Sequence, residues 1–152
     1  MRRKEREIKD IALIEKIIRK AQVCRLALSE NGRPYIVPLC FGYKDKALYF
    51  HTAREGNKLR ILKKNNNVCF EIDIDHELVK GKKACSCSMK YRSVIGFGKA
   101  ELIEEIELKR KALNIIMQNY FEGFFKYPDE AVNTTVILKV KIESMTGKQL
   151  GY

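Results

Sequence analysis

The sequence has no tryptophan, three prolines and two histidines among its 152 residues. It contains no apolar run near the ~20 residues that a membrane-spanning helix needs, and its start, MRRKEREIKD, lacks the apolar core of a signal peptide. Apolar residues make up 45% of the chain, which excludes wholesale disorder. We therefore expect a single domain, residues 1–152, located in the cytoplasm.

Cysteine is present but gives no disulfide framework, because five cysteines are an odd number. Cys24, Cys40 and Cys69 lie in strand-like apolar runs, so we expect reduced and mostly buried thiols. Cys85 and Cys87 are separated by one residue, and no second pair has the spacing of zinc ligands. The sequence therefore predicts no metal site.

Acidic residues are scarce relative to basic ones, 19 against 30, which gives a net charge of +11. Such a charge fits a nucleic-acid or membrane surface, or the attraction of small anions into a cleft. The basic residues are spread over the N-terminal arm and residues 58–64, 80–92 and 109–111, without interleaved aromatic residues. This scatter favours a generally basic surface over a nucleic-acid site.

Hydrophobic periodicity predicts a leading helix over residues 1–22 and a second amphipathic helix over residues 103–120. Runs of β-prone residues predict six strands, at 23–29, 35–43, 48–51, 68–74, 91–101 and 134–144. Several short strands with helices at the margins indicate an α+β fold, mainly β, built as a small antiparallel barrel.

Turn residues refine this outline. Asn31-Gly32 predicts a tight hairpin between the first two strands. Pro34 and Pro38 argue against a central position for the second strand, because each proline removes a donor from the hydrogen-bond ladder. The glycines at 96 and 98 predict a bend or bulge.

The segment 48–62, LYFHTAREGNKLRIL, combines a strand, a polar turn and a helix start. Thr52 is a candidate N-cap with Glu55 as its capping-box partner, and Gly56 permits close backbone approach. Thr52 and Lys58 beside a helix start would suit a phosphate group. An ordinary strand-to-helix connection with a solvated lysine explains the same residues, so the local pattern leaves both readings open.

Five blocks of sequence occur in a characteristic order: RRKEREI, RPYIVPLCFGY, LYFHTAREGNKL, NNNVCFE and YRSVIGFGKAE. In this order and spacing they resemble the FMN-binding split-barrel proteins of the pyridoxamine 5'-phosphate oxidase-like superfamily, in the branch of the nitroimidazole-resistance proteins. The resemblance covers nearly the whole chain. It implies a six-stranded antiparallel split barrel with flanking helices, and a homodimer that binds FMN at the subunit interface.

The resemblance also assigns site residues. Backbone groups of the second strand would border the isoalloxazine, and they belong to Ile36, Val37, Pro38, Leu39 and Cys40. The ribityl and phosphate groups would be held by His51, Thr52 and Lys58. The residue before Lys58 is often basic in the family, whereas this chain has Asn57. The phosphate site is therefore one charge weaker.

The last block, YRSVIGFGKAE, contributes three further candidate site residues. Arg92, or an arginine of a partner subunit, would supply the charge that Asn57 does not. Tyr91 and Ser93 would approach the cofactor or a substrate above it. His51 would hydrogen-bond the flavin or position a substrate, and a role as general acid is open; a histidine at a strand end is otherwise usually a structural hydrogen-bonding residue.

Two function classes remain open on this basis. The first is an FMN-dependent oxidoreductase, nitroreductase-like or related to pyridoxamine-phosphate oxidase, that passes electrons from a reduced nicotinamide to a small acceptor such as a nitroaromatic or a quinone. The second is a non-catalytic module that binds flavin, haem or deazaflavin in the same cleft.

Overall fold

The computed structural model describes residues 2–152. Its eight strands form one antiparallel sheet, in the order β3-β2-β6-β7-β8-β5-β4, with β1 paired to β8. The strands are β1 (Glu7–Ile8), β2 (Cys24–Glu30), β3 (Arg33–Leu39), β4 (Gly42–Lys44), β5 (Ala47–Thr52), β6 (Asn67–Val79), β7 (Ser88–Ile103) and β8 (Val136–Leu150). The helices are α1 (Ile11–Lys20), α2 (Asn57–Leu62), α3 (Ile106–Gln118) and α4 (Asp129–Thr134). The α+β, mainly antiparallel fold is confirmed.

The sheet has eight strands where six were expected. The two additional strands are short: β1 has two residues and β4 has three. The expected second strand, 35–43, divides into β3 and β4 because the chain leaves the sheet at Cys40-Phe41. These short segments gain their pairing from distant partners, so local periodicity does not reveal them.

The leading helix is shorter than the predicted 1–22. Met1 lies outside the described residues, and residues 4–8 form a 3-10 turn followed by β1. Glu7 pairs with Lys148 and Ile8 with Gly147, contacts that no local pattern indicates. The helix α1 begins after Asp10, whose carboxylate accepts a hydrogen bond from the Ala12 amide at 2.9 Å.

The other boundaries differ in the same way. Helix α3 covers Ile106–Gln118 within the predicted 103–120, because Glu105 caps it by accepting from the amides of Glu107 and Leu108. Strand β6 continues to Val79, beyond the predicted end at residue 74, since Glu77 and its neighbours pair with the start of β7. Helix α4 was not predicted at all.

Two turn predictions are confirmed. Asn31 and Gly32 both have positive φ, 50° and 76°, as a tight two-residue hairpin requires. The register between β7 and β8 shifts between Phe97 and Gly98, where a bulge was expected. A Cβ on Gly98 would lie 2.1 Å from the Lys141 carbonyl oxygen, so glycine permits this close approach of the two strands.

The main core fills the interior of the curved sheet and is closed by α1, which buries Ile14, Ile17 and Ile18. Its largest side chains are those of Phe41, Phe50 and Phe70, each fully buried. A second, smaller cluster packs α3 through Ala112 and Ile116 against Ile137 of β8. No helix within residues 2–152 is long and apolar enough to cross a membrane.

Candidate functional site

Strand β3 lies at one edge of the sheet; among residues 2–152 its only strand neighbour is β2, so its other edge is free of strand pairing there. The edge position agrees with the prediction from Pro34 and Pro38. Side chains alternate along the strand: Tyr35, Val37 and Leu39 pack against the core, whereas Ile36, Pro38 and Cys40 are exposed. The unpaired backbone groups of β3 and its exposed apolar face are therefore both accessible to a ligand.

The exposed face of β3 continues across the sheet. Ile36 pairs with Ala27, Ala27 with Cys69, and Cys69 with Phe97, so these four residues form one row. Ile36 is 58% exposed and Phe97 56% exposed, and Ile95 lies two residues from Phe97 on the same face. We call Ile36, Ile95 and Phe97 the outer apolar band. Such a band is typical of a surface that meets a ligand or another protein.

The turn after β5 is held by Arg54. Its guanidinium donates to the carbonyl oxygens of Asn133 at 2.6 Å and Thr134 at 3.1 Å, at the end of α4. The predicted capping box of Thr52 and Glu55 is wrong, because Thr52 is the last residue of β5 and α2 begins only at Asn57. Gly56 caps α2 without a side-chain bond and has a φ of 130°.

Lys58 lies in the first turn of α2 and is half-buried. Within residues 2–152, no carboxylate lies within 4.0 Å of its ammonium group, although Arg60 and Lys64 of the same segment both reach Glu30, at 2.5 Å and 2.7 Å. Burial lowers the pKa of Lys58 from its usual 10.5, because the charged form is partly desolvated. The result is a partly desolvated cation without a carboxylate partner in the described part of the chain.

Helix α2 also approaches the start of β3. A cavity of about 270 Å³ separates them, lined by Glu30, Arg33, Pro34, Tyr35, Asn57, Arg60 and Ile61. The predicted isoalloxazine strand and the predicted phosphate helix are thus neighbours, as one elongated site would require. A second cavity, of about 540 Å³, opens between α3 and the end of β7 and contains none of the predicted site residues.

His51 and Thr52 point to opposite faces of β5, because they are consecutive strand residues. Thr52 is half-buried, whereas His51 is exposed and pairs with Ile137, which belongs to the cluster beneath α3. The two residues therefore lie close in the chain but on different sides of the sheet.

Tyr91, Arg92 and Ser93 lie at the other end of β7. Arg92 forms an ion pair with Asp75 at 2.9 Å, and its guanidinium stacks 4.1 Å from the centre of the Tyr152 ring. The β7 residue level with His51 is Ile103, about 35 Å further along the strand. Within one protomer, the structure does not bring this block to Lys58.

The cysteines are less buried than expected. Only Cys24 is fully buried, and its burial raises the pKa of the thiol; Cys69 is half-buried, and Cys40, Cys85 and Cys87 are exposed. Within residues 2–152, no group of three or more His, Cys, Asp or Glu side chains could hold a metal ion. The anchoring role of Arg54 was also missed, since a single arginine in a polar turn carries no sequence signal.

Comparison with known proteins gives this site a context. The chain matches the pyridoxamine 5'-phosphate oxidase family over residues 10–149. It is 42% identical to a protein of known structure from Bacteroides thetaiotaomicron, described as a candidate 5-nitroimidazole antibiotic resistance protein. The similarity covers 94% of this chain and 86% of that one, with a TM-score of 0.85. No curated protein matches the chain.

More distant structures share the fold. A protein from Mycobacterium smegmatis described as binding FAD and haem is 19% identical, with 97% of this chain and 74% of that chain covered and a TM-score of 0.87. A flavocytochrome from Azotobacter vinelandii is also 19% identical, with coverages of 100% and 72% and a TM-score of 0.87. The expected split-barrel fold is confirmed, and the chain belongs to the pyridoxamine 5'-phosphate oxidase family.

Proposed function

We propose that the protein binds FMN and acts as an oxidoreductase that passes electrons from a reduced nicotinamide to a small acceptor such as a nitroaromatic or a quinone. The observation that carries this proposal is Lys58, a half-buried cation with no carboxylate within 4.0 Å among residues 2–152. A phosphate is the anion that such a site would accept, with a charge-assisted hydrogen bond from the ammonium group.

The residues around Lys58 fit the rest of the cofactor. Thr52 offers a half-buried hydroxyl at the end of β5, and the free edge of β3 offers unpaired backbone groups to a polar ring edge. Arg92 is engaged by Asp75 and Tyr152, so a second cation has to come from another residue. Arg33 lines the same cavity as Asn57 and is our candidate.

We also propose that the protein is a homodimer with the cofactor between the subunits, and the outer apolar band supports this. Ile36, Ile95 and Phe97 are too exposed to stabilise the monomer fully, and a second copy of the same face would bury them. Tyr91 and Ser93, which lie far from Lys58 along β7 within one protomer, would then act on the site of the other subunit. His51, on the opposite face of β5 from Thr52, would do the same.

The relatives support flavin chemistry and the acceptor class. The family takes its name from an oxidase, two structural neighbours are described as a FAD- and haem-binding protein and a flavocytochrome, and a 42% identical neighbour is linked to 5-nitroimidazole resistance. A bound flavin supplies hydride acceptance and electron delivery. The chain supplies the binding groups, the ring orientation and the exclusion of water.

The test is turnover by purified protein loaded with FMN. We expect NADH or NADPH to be oxidised in the presence of nitroaromatic and quinone acceptors, and the activity to depend on added FMN. A loaded protein that oxidises neither donor with any acceptor would leave the second candidate, a non-catalytic carrier of flavin, haem or deazaflavin. That candidate is favoured by the haem named in the Mycobacterium smegmatis neighbour. Cytoplasmic location stays a prediction.

A further inference from the structure

The segment between α3 and α4 exposes aromatic side chains. We call residues 121–126 the strap. Phe121 is 61% exposed and Phe124 is fully exposed, whereas Phe125 is half-buried. Gly123 has a φ of 119°, and a Cβ there would contact nothing within 4 Å. Two exposed phenylalanines in one short segment indicate a surface that meets an apolar group.

The strap is fixed at both ends. At its start, the Tyr120 hydroxyl accepts a hydrogen bond from the Phe41 amide at 2.9 Å and donates to the Gln22 carbonyl at 2.7 Å. At its end, Arg110 donates to the Tyr127 carbonyl at 3.0 Å and forms an ion pair with Asp129. The position of the strap is therefore set by Phe41 and Gln22 at one end and by α3 at the other, while its two exposed rings protrude into solvent.

The first anchor places the strap beside the end of β3. Cys40 directly precedes Phe41, the residue whose amide binds Tyr120. The centres of the Tyr120 and Phe121 rings are 6.5 Å apart. The exposed Phe121 ring is thus connected, through Tyr120 and the Phe41 amide, to the residue that follows Cys40. Cys40 is the last residue of the segment proposed to border the isoalloxazine.

We infer that the strap is the acceptor wall of the flavin site, and that Phe121 and Phe124 select flat, uncharged aromatic acceptors. The inference rests on the proposed function and adds the residues that would select its acceptor. Phenyl rings offer neither hydrogen bonds nor charge, so they discriminate in favour of aromatic molecules that pack against them edge-to-face or offset-stacked. Nitroaromatics and quinones have this shape, whereas small inorganic oxidants do not.

The decisive experiment compares the FMN-loaded wild type with the double variant Phe121→Ala/Phe124→Ala. Menadione, a quinone, is titrated and followed by the change that it causes in the flavin absorption bands. We expect its affinity to fall about tenfold in the double variant, because each aromatic pair is worth a factor of roughly two to twelve. Affinity for FMN and the rate with ferricyanide, a non-aromatic acceptor, should not change. Ile11→Ala, at a residue 52% exposed at the start of α1, is the control and should leave all three values unchanged.

A second readout needs no turnover. Chymotrypsin cleaves after exposed phenylalanines, so it should cut the strap of the loaded protein, and menadione should slow that cleavage. Equal menadione affinity in the wild type and the double variant, with FMN bound normally in both, overturns the inference alone. The strap could also be protected from cleavage without menadione while the double variant dissociates into monomers. That result would assign the strap to a subunit contact and would also overturn the inference. A wild type that takes up no FMN overturns both the inference and the proposed function.

Discussion

Lys58, our proposed phosphate-binding residue, differs from the ion-paired residues around it. Its pKa is lowered by burial, so the unfolded chain holds this proton more tightly than the folded chain does. Stability without ligand should therefore rise as the pH increases through the range just below the usual pKa of 10.5. Neighbouring Arg60 and Lys64 differ, because both are paired with Glu30.

We predict that Lys58→Ala weakens FMN binding by about 1.5–3 kcal/mol, since it removes a charge-assisted hydrogen bond to the phosphate. The free energy of unfolding of the apoprotein should not fall, because the lost cation has no protein partner within residues 2–152. Fluorescence titration with FMN and urea unfolding measure the two effects. Lys63→Ala, at an exposed lysine just after α2, serves as the control. Equal FMN affinity in Lys58→Ala and the wild type would place the phosphate elsewhere.

At the scale of elements, α2 is attached to the β2–β3 hairpin through one carboxylate. Glu30 accepts hydrogen bonds from Arg60 at 2.5 Å and Lys64 at 2.7 Å, and these lower its pKa from 4.5 to about 2. A lowered pKa in the folded state means that the pairing stabilises the fold above pH 4.5 and that this stabilisation is lost as the pH falls toward about 2.

We predict that Glu30→Gln reduces the free energy of unfolding at pH 7, and that its difference from the wild type narrows steadily as the pH falls below about 4.5. Urea unfolding at a series of pH values measures this difference. Glu143→Gln, at an exposed carboxylate that only reaches Lys99 at 4.0 Å, should behave like the wild type. A difference that is the same at every pH would show that the charge of Glu30 is not what stabilises the contact.

Some features of the helices and strands could be predicted from the sequence, and others could not. Local signals predicted what local chemistry determines: the Asn31-Gly32 hairpin, the edge position of β3 and the bulge at Gly98. Features that depend on distant partners were missed. Strand β1 exists because it pairs with β8, and the turn after Thr52 takes its shape from the bonds of Arg54 to residues near the end of α4. The capping box failed for that reason.

At the scale of the whole molecule, the candidate site was predicted only through resemblance. The strand-to-helix segment around Lys58 suggested phosphate binding, but an ordinary connection explained the same residues equally well. The structure shows that no carboxylate among residues 2–152 pairs with Lys58 and that α2 lies near β3. Hydrophobic periodicity reveals neither feature. It also shows that residues 91–93 require a second subunit if they are to reach the same site.

We predict a homodimer whose interface contains the outer apolar band. Phe97→Asp places a charge within that band, so the dimer should dissociate and FMN affinity should fall with it. Sedimentation velocity and FMN titration measure the two effects. Ile11→Asp, at a residue that is 52% exposed at the start of α1 and away from the band, should remain dimeric. A monomeric wild type, or a Phe97→Asp protein that stays dimeric, would exclude this face as the interface.

The most direct test of the central claim is an absorption spectrum of the freshly purified protein, followed by identification of the chromophore released on denaturation. We predict the two absorption bands of an oxidised flavin and the release of FMN, either as purified or after incubation with added FMN. A haem spectrum would show that the protein binds a different cofactor. A colourless protein that takes up no FMN would contradict the account, because Lys58 and the edge of β3, both without a partner in the described part of the chain, would then need another ligand.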